Sequence, residues 1–89
     1  MPFTRNPIML TRGLAPAAEL ARRLSKGLTT IHSYVRDEKV RGERDGRMLY
    51  VDLASLEKFF RGEDNTAMAD AVVKYRAELA AEFPQAKAG

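Results

Sequence analysis

The side chains best suited to chemistry in this sequence are basic, and they are concentrated between residues 29 and 47. This segment contains the single histidine, His32, together with Arg36, Lys39, Arg41, Arg44 and Arg47. Arginine binds a phosphate group or a guanine edge through two parallel hydrogen bonds. The pattern therefore favours binding of a polyanion, with a solvated basic surface as the alternative.

Catalytic and metal chemistry lack the residues that they require. The sequence has no cysteine, which excludes disulfides, thiolate zinc sites and cysteine nucleophiles. His32 has no second histidine with which to share a metal, and neither a nucleophile nor an orienting group accompanies it. We therefore expect no enzymatic activity, no metal and no cofactor.

Composition and charge indicate one small globular domain with an uneven charge distribution. The 89 residues are 45% hydrophobic and 30% charged, which is typical of a folded domain. Residues 1–62 carry a net charge of +5, whereas residues 63–89 carry −2. No apolar run approaches the length of a membrane span, and the first residues lack a signal-peptide core. We therefore expect a cytoplasmic protein with no membrane partner.

Two short amphipathic helices are predicted on either side of a three-residue break. Pro16 suits the first position of the first helix, and Gly27 can take a left-handed conformation in the break. The second helix is predicted over residues 28–37. Its apolar positions are Leu28, Ile31, Tyr34 and Val35. Its opposite face carries Thr29, Thr30, His32, Ser33 and Arg36, where one of the two threonines is alternatively a helix cap.

A basic hairpin follows the two helices. The dipeptide Asp45-Gly46 between extended segments predicts a tight turn, because a type I′ turn needs positive φ at both central residues. Arg44 and Arg47 flank this turn. They are expected to enter a minor groove, to act as a charged edge that prevents aggregation, or to do both.

The segments on either side of the hairpin are also informative. Lys39 and Arg41 precede it, and their contact with phosphates is the alternative to a solvated position. Asp52 follows it and is predicted to cap a third helix that ends at Gly62. The order of helix, turn, helix, basic hairpin and helix predicts a winged helix-turn-helix.

The two ends of the chain differ from the central domain. Residues 1–13 are predicted as an irregular arm, in which residues 8–10 are a candidate edge strand. Residues 63–89 are dominated by an alanine-rich helix predicted over residues 65–83. Its apolar stripe consists of Met68, Val72, Tyr75 and Leu79. This heptad-like spacing suits either packing on its own domain or self-association with a second copy.

Three stretches of the central domain resemble a known family. They are residues 16–24 (PAAELARRL), residues 30–37 (TIHSYVRD) and residues 46–59 (GRMLYVDLASLEKF). Together they are similar to the DNA-binding domain of the excisionase and MerR type, over roughly residues 14–60. The family often has a glycine where Glu38 stands and an apolar residue near Lys26, so the turn is expected to bury Leu28 instead.

This resemblance implies a fold and a function. The fold is mainly α with a small β-hairpin wing, a winged helix-turn-helix over residues 14–62 that is followed by a C-terminal helix. The function is sequence-specific binding of double-stranded DNA, with the helix of residues 28–37 in the major groove and residues 44–47 in the minor groove. Thr29, Thr30, His32, Ser33 and Arg36 of the helix and Lys39, Arg41, Arg44 and Arg47 of the wing are then the contact residues.

Within the family, two roles fit so short a chain. One is a phage-type excisionase, or recombination directionality factor, which binds repeated sites, bends DNA and assists a site-specific integrase. The other is a small transcriptional regulator. Duplex DNA and further copies of the chain are the expected partners in both cases. The alternative from another class is a small assembly or packaging adaptor that uses the winged helix for protein contacts.

Overall fold

The structure is a computed structural model, and it describes residues 6–82 as helices packed around a small antiparallel sheet. The elements are α1 (Pro7–Thr11), β1 (Leu14–Pro16), α2 (Ala17–Leu24), α3 (Leu28–Arg36), β2 (Gly42–Asp45), β3 (Met48–Asp52), α4 (Leu53–Gly62) and α5 (Thr66–Glu82). Strand β3 lies between β1 and β2 and is antiparallel to both. This architecture confirms the predicted fold class, which is mainly helical with a β-hairpin wing and a C-terminal helix.

Helices α2 and α3 form the predicted helix-turn-helix, but a different residue makes the turn. Ser25, and not Gly27, takes the left-handed conformation, with a φ of 55°. Gly27 precedes α3 in an extended conformation with a φ of −68°. The prediction for Gly27 is therefore wrong. Ser25 ends α2 with a left-handed cap, and Gly27 begins the next helix.

Strands β2 and β3 form the predicted hairpin, with the turn one residue later than expected. Asp45 pairs with Met48, so the two residues of the turn are Gly46 and Arg47. Of these two, only Gly46 has a positive φ, at 64°, which is the pattern of a type II′ turn and not of type I′. Arg47 thus lies in the turn itself.

The segment that precedes β1 is a short helix, so the predicted edge strand over residues 8–10 is wrong. Asn6 caps α1 through its side-chain oxygen, which accepts a hydrogen bond of 3.0 Å from the amide of Ile8. Pro7 occupies the first helical position, where no N–H is needed. These two residues favour a helix over a strand. Residues 1–5 of the predicted arm lie outside the described residues.

The sheet is covered on both faces. Its edge strand β1 pairs Ala15 with Val51 of β3. One face packs against α2, α3, α4 and α5 in the main core, whose fully buried members include Leu20, Ile31, Val51, Leu53, Leu56, Phe60 and Val72. The other face is closed by α1 through a smaller cluster of Met9, Leu14 and Tyr50, with Met48 at its edge. The wing is therefore packed from behind by α1.

Side-chain caps begin the last two helices. Asp52 caps α4 as predicted, because its Oδ1 accepts hydrogen bonds from the amides of Ala54 at 3.0 Å and Ser55 at 3.3 Å. The Oδ1 atom of Asn65 accepts a hydrogen bond of 3.2 Å from the amide of Met68 at the start of α5. Among the described residues, no helix combines the length and apolar character that a membrane span needs.

The apolar stripe of α5 packs on its own domain. Val72, Tyr75 and Leu79 are at most 5% exposed and belong to the main core, and Met68 packs against its edge. The hydroxyl of Tyr75 donates a hydrogen bond of 2.8 Å to Oε1 of Glu19 in α2, which is also buried. The prediction that these four α5 residues mediate self-association is therefore corrected for Val72, Tyr75 and Leu79, because burial within the chain removes them from the surface, whereas Met68 is half-buried.

Candidate nucleic-acid interface

The outer face of α3 carries the predicted contact residues. Thr29, Thr30 and Arg36 are exposed, whereas His32 and Ser33 are half-buried. The hydroxyl of Ser33 donates a hydrogen bond of 2.7 Å to the carbonyl oxygen of Thr30. Both threonines lie inside α3, and the residue that caps the helix makes no side-chain hydrogen bond. The capping alternative for the threonines is therefore wrong, and their side chains remain on the surface.

The wing brings two more cations to this side of the molecule. Arg44 pairs with Leu49 across the hairpin, and the two side chains project from the same face of the sheet, toward α3. Arg44 lines one groove with His32 and Arg36, and Arg47 lines a neighbouring groove with His32. We call His32, Arg36, Arg44 and Arg47 the basic face.

The acidic residues of β2 are turned away from the basic face. Glu43 accepts two hydrogen bonds from the guanidinium of Arg12, at 2.5 and 3.1 Å. Asp45 accepts a hydrogen bond of 2.9 Å from the side-chain amide of Asn6. The hydrogen bonds between Arg12 and Glu43 lower the pKa of the Glu43 carboxyl and raise the pKa of Arg12. Within residues 6–82, no carboxylate lines the grooves of the basic face.

Lys39 and Arg41 lie apart from the basic face. They line a separate groove with Glu38 and Ser55 at the base of the wing. Both are exposed, and the backbone amide of Arg41 donates a hydrogen bond of 2.9 Å to the hydroxyl of Ser55. The structure therefore joins His32, Arg36 and the two arginines of the wing tip, but it separates Lys39 and Arg41 from them.

Sequence reasoning missed an apolar part of the same surface. Leu28, which was expected to be buried, is 45% exposed. It lines one groove with His32 and Arg36 and another with Leu49 of β3. The signal was present in the spacing, because Leu28, His32 and Arg36 are four residues apart and share a helix face. Ile31, by contrast, points into the core.

The described residues offer little for other chemistry. Within residues 6–82, no three His, Asp or Glu side chains come close enough together to hold a metal ion. Comparison of the chain with protein-family models, curated proteins and solved structures finds no match. The geometry and charge of the basic face and the resemblance in the sequence are therefore the features that bear on function.

Proposed function

We propose that this protein binds double-stranded DNA through the basic face, with α3 in the major groove and the wing tip against the minor groove. The observation that carries the proposal is that three arginines and a histidine from two elements surround adjoining grooves, which no carboxylate of the described residues lines. Duplex DNA carries one negative charge per about 1.7 Å of its axis, so it complements such a surface.

The shape of α3 also supports this proposal. Its exposed side includes the short side chains of Thr29 and Thr30, which allow a helix to approach a surface closely. A major groove about 12 Å wide admits one helix. The side chain of Arg36 is 72% exposed, and within the described part of the chain its one ion pair is a long contact of 3.5 Å with Asp37, so its guanidinium is available to a phosphate or a guanine edge.

The wing tip supplies the second half of the proposed contact. Arg47 lies in the two-residue turn, and Arg44 lies just before it on β2. The negative potential of a narrow minor groove attracts arginine side chains. The packing of α1 behind the sheet, and the pairing of Glu43 with Arg12 there, keep negative charge away from this side.

The biological role that we propose follows from the resemblance. It is that of a phage-type excisionase or a small transcriptional regulator, without catalytic activity, that binds repeated sites and bends DNA; an excisionase also requires a site-specific integrase. A single module of this size buries only about 600–1,000 Å² on DNA, so specific affinity requires several copies on neighbouring sites. Contacts between those copies must use a surface other than the buried stripe of α5.

Titration of a labelled duplex of mixed sequence at a series of salt concentrations tests the proposal. Counterion release makes the logarithm of the binding constant fall with the logarithm of salt concentration, by about 0.9 per phosphate neutralised. If Arg36, Arg44 and Arg47 all contact phosphates, we expect a slope of about −3 or steeper. Binding that does not depend on salt, or no binding at about 50 mM salt, contradicts the proposal and favours the adaptor function.

A further inference from the structure

An apolar groove adjoins the basic face. Its apolar lining includes Ala17, Ala18, Leu28 and Leu49, and His32 and Arg47 line it as well. We call these six residues the apolar groove. It lies between the start of α2, the start of α3 and β3, so three separate elements form it.

The position of Leu28 places this groove beside the proposed DNA-binding face of α3. A single exposed leucine is ordinary in a folded protein and needs no explanation. Leu28, however, is the first residue of α3, and it is on the same helix face as His32 and Arg36. The helix end that we place in the major groove thus carries an apolar side chain beside an apolar depression.

Resting on the proposed function, we infer that the apolar groove binds the 5-methyl group of a thymine and so specifies a T·A base pair. Thymine is the base whose major-groove edge carries an apolar methyl group. The edges of the other bases carry hydrogen-bond donors and acceptors there. Small apolar side chains are the usual contacts of this methyl group.

The surroundings of the groove favour DNA over a protein as the occupant. His32 and Arg47 form its rim, and no carboxylate of the described residues lines it. Arg36 lies on the same face of α3 as Leu28, with His32 between them. An apolar helix from a partner protein would place its own apolar surface against these cations. A thymine nucleotide presents one small apolar group together with a phosphate, and it matches both parts of the site.

The experiment begins with selection of preferred duplexes from a random library by the full chain. Each thymine of the preferred site is then replaced singly by deoxyuridine, which removes only the methyl group. Burial of a group of this size corresponds to about a fourfold change in affinity, so we expect one or two positions at which uracil weakens binding by about fourfold.

Leu28→Ala identifies the residue responsible. We expect this variant to fold, since Leu28 is exposed, and to discriminate thymine from uracil less than the unaltered protein does, because alanine keeps only a small part of the apolar contact. Val73→Ala is the matched control, because Val73 is 41% exposed on α5 and lies outside the groove; it should keep the fourfold preference.

Three results overturn the inference while the proposed function stands. They are equal binding of thymine and uracil at every position, discrimination that Leu28→Ala leaves undiminished, and duplex binding without any sequence preference. Absence of duplex binding at low salt overturns both this inference and the proposed function, so the two failures are distinguishable.

Discussion

Val35 of α3 packs so closely against Gly42 of β2 that a Cβ atom on Gly42 would lie 2.9 Å from Cγ1 of Val35. The same atom would lie 3.1 Å from the backbone carbonyl oxygen of Tyr50 on the neighbouring strand. Only a glycine leaves room for this contact. It joins the base of the wing to α3 two residues before Arg44.

Gly42→Ala should destabilise the protein by about 1–3 kcal/mol, because the added methyl group forces a well-packed contact apart. Urea unfolding followed by circular dichroism measures the change. Gly62→Ala is the matched control, since a Cβ atom there would meet no atom of the described residues within 4 Å. A loss of stability that is equal in the two variants would contradict the role assigned to the contact between Gly42 and Val35.

Glu38→Gly should stabilise the protein by about 0.5–1 kcal/mol. Glu38 has a φ of 62°, and a left-handed conformation costs an L-residue about 1–2 kcal/mol, part of which the greater chain entropy of glycine offsets. Glu38→Ala removes the carboxyl group but keeps the Cβ atom, so it should not raise the midpoint of urea unfolding. If alanine stabilises as much as glycine does, the charge of Glu38 and not its backbone is responsible.

The elements with strong local signals could be predicted from the sequence. Apolar spacing located α2, α3, α4 and α5, and the capping aspartate Asp52 located the start of α4. Sequence patterns gave the wrong element where a short segment suits two kinds of secondary structure. Residues 8–10 are apolar and suit either a strand or a helix, and the preceding pair Asn6-Pro7 favours the helix. The dipeptide Asp45-Gly46 predicted a turn with positive φ at both of its residues. The actual turn has a positive φ at Gly46 alone of its two residues, so it lies one residue later.

The candidate site could be predicted only in part, because side-chain position depends on how the elements pack. The sequence placed Arg44 and Arg47 beside the turn and Lys39 and Arg41 before the hairpin, but it did not show that Arg44 faces α3 or that Lys39 and Arg41 line a separate groove. The stripe of α5 had a spacing that suits either a core or an interface. Its burial depends on how α5 packs against α4 and α2, which local sequence does not encode.

Removal of α5 should unfold the domain. Val72, Tyr75 and Leu79 are buried in the main core, and each contributes about 1.5–3 kcal/mol, which together approaches the stability of a small domain. Arg23 of α2 adds contacts, because its guanidinium carbon lies 4.9 Å from the ring centre of Tyr75 and it forms an ion pair with Glu78.

A chain that ends at Gly62 should therefore show no cooperative thermal transition in circular dichroism. A chain that ends at Glu82 is the control, since it keeps every contact of the described residues, and it should unfold cooperatively. If the shorter chain retains a sharp transition, α5 is an accessory to the domain and its stripe is open to a second copy after all.

Arg36→Ala should weaken binding to the preferred duplex by about 1–3 kcal/mol, which is the usual effect of losing one good contact. Arg36→Lys distinguishes the two possible partners of this side chain. Lysine keeps a phosphate contact as a point charge but loses the paired hydrogen bonds to a guanine. Fluorescence anisotropy at fixed salt measures both variants, and unchanged affinity in Arg36→Ala would mean that α3 does not face the DNA.

The salt dependence of duplex binding in the double variant Arg44→Ala/Arg47→Ala tests the central claim most directly. Each phosphate contact contributes about 0.9 to the slope, so loss of both arginines should flatten the slope by up to about two units. It should also weaken binding to the preferred duplex and to unrelated duplexes by a similar factor. Lys58→Ala/Lys74→Ala removes the same charge from exposed positions that line none of the grooves of the basic face, and it should leave the slope unchanged. If both double variants have the slope of the unaltered protein, or if both lower it equally, the wing and α3 do not form the DNA-binding surface.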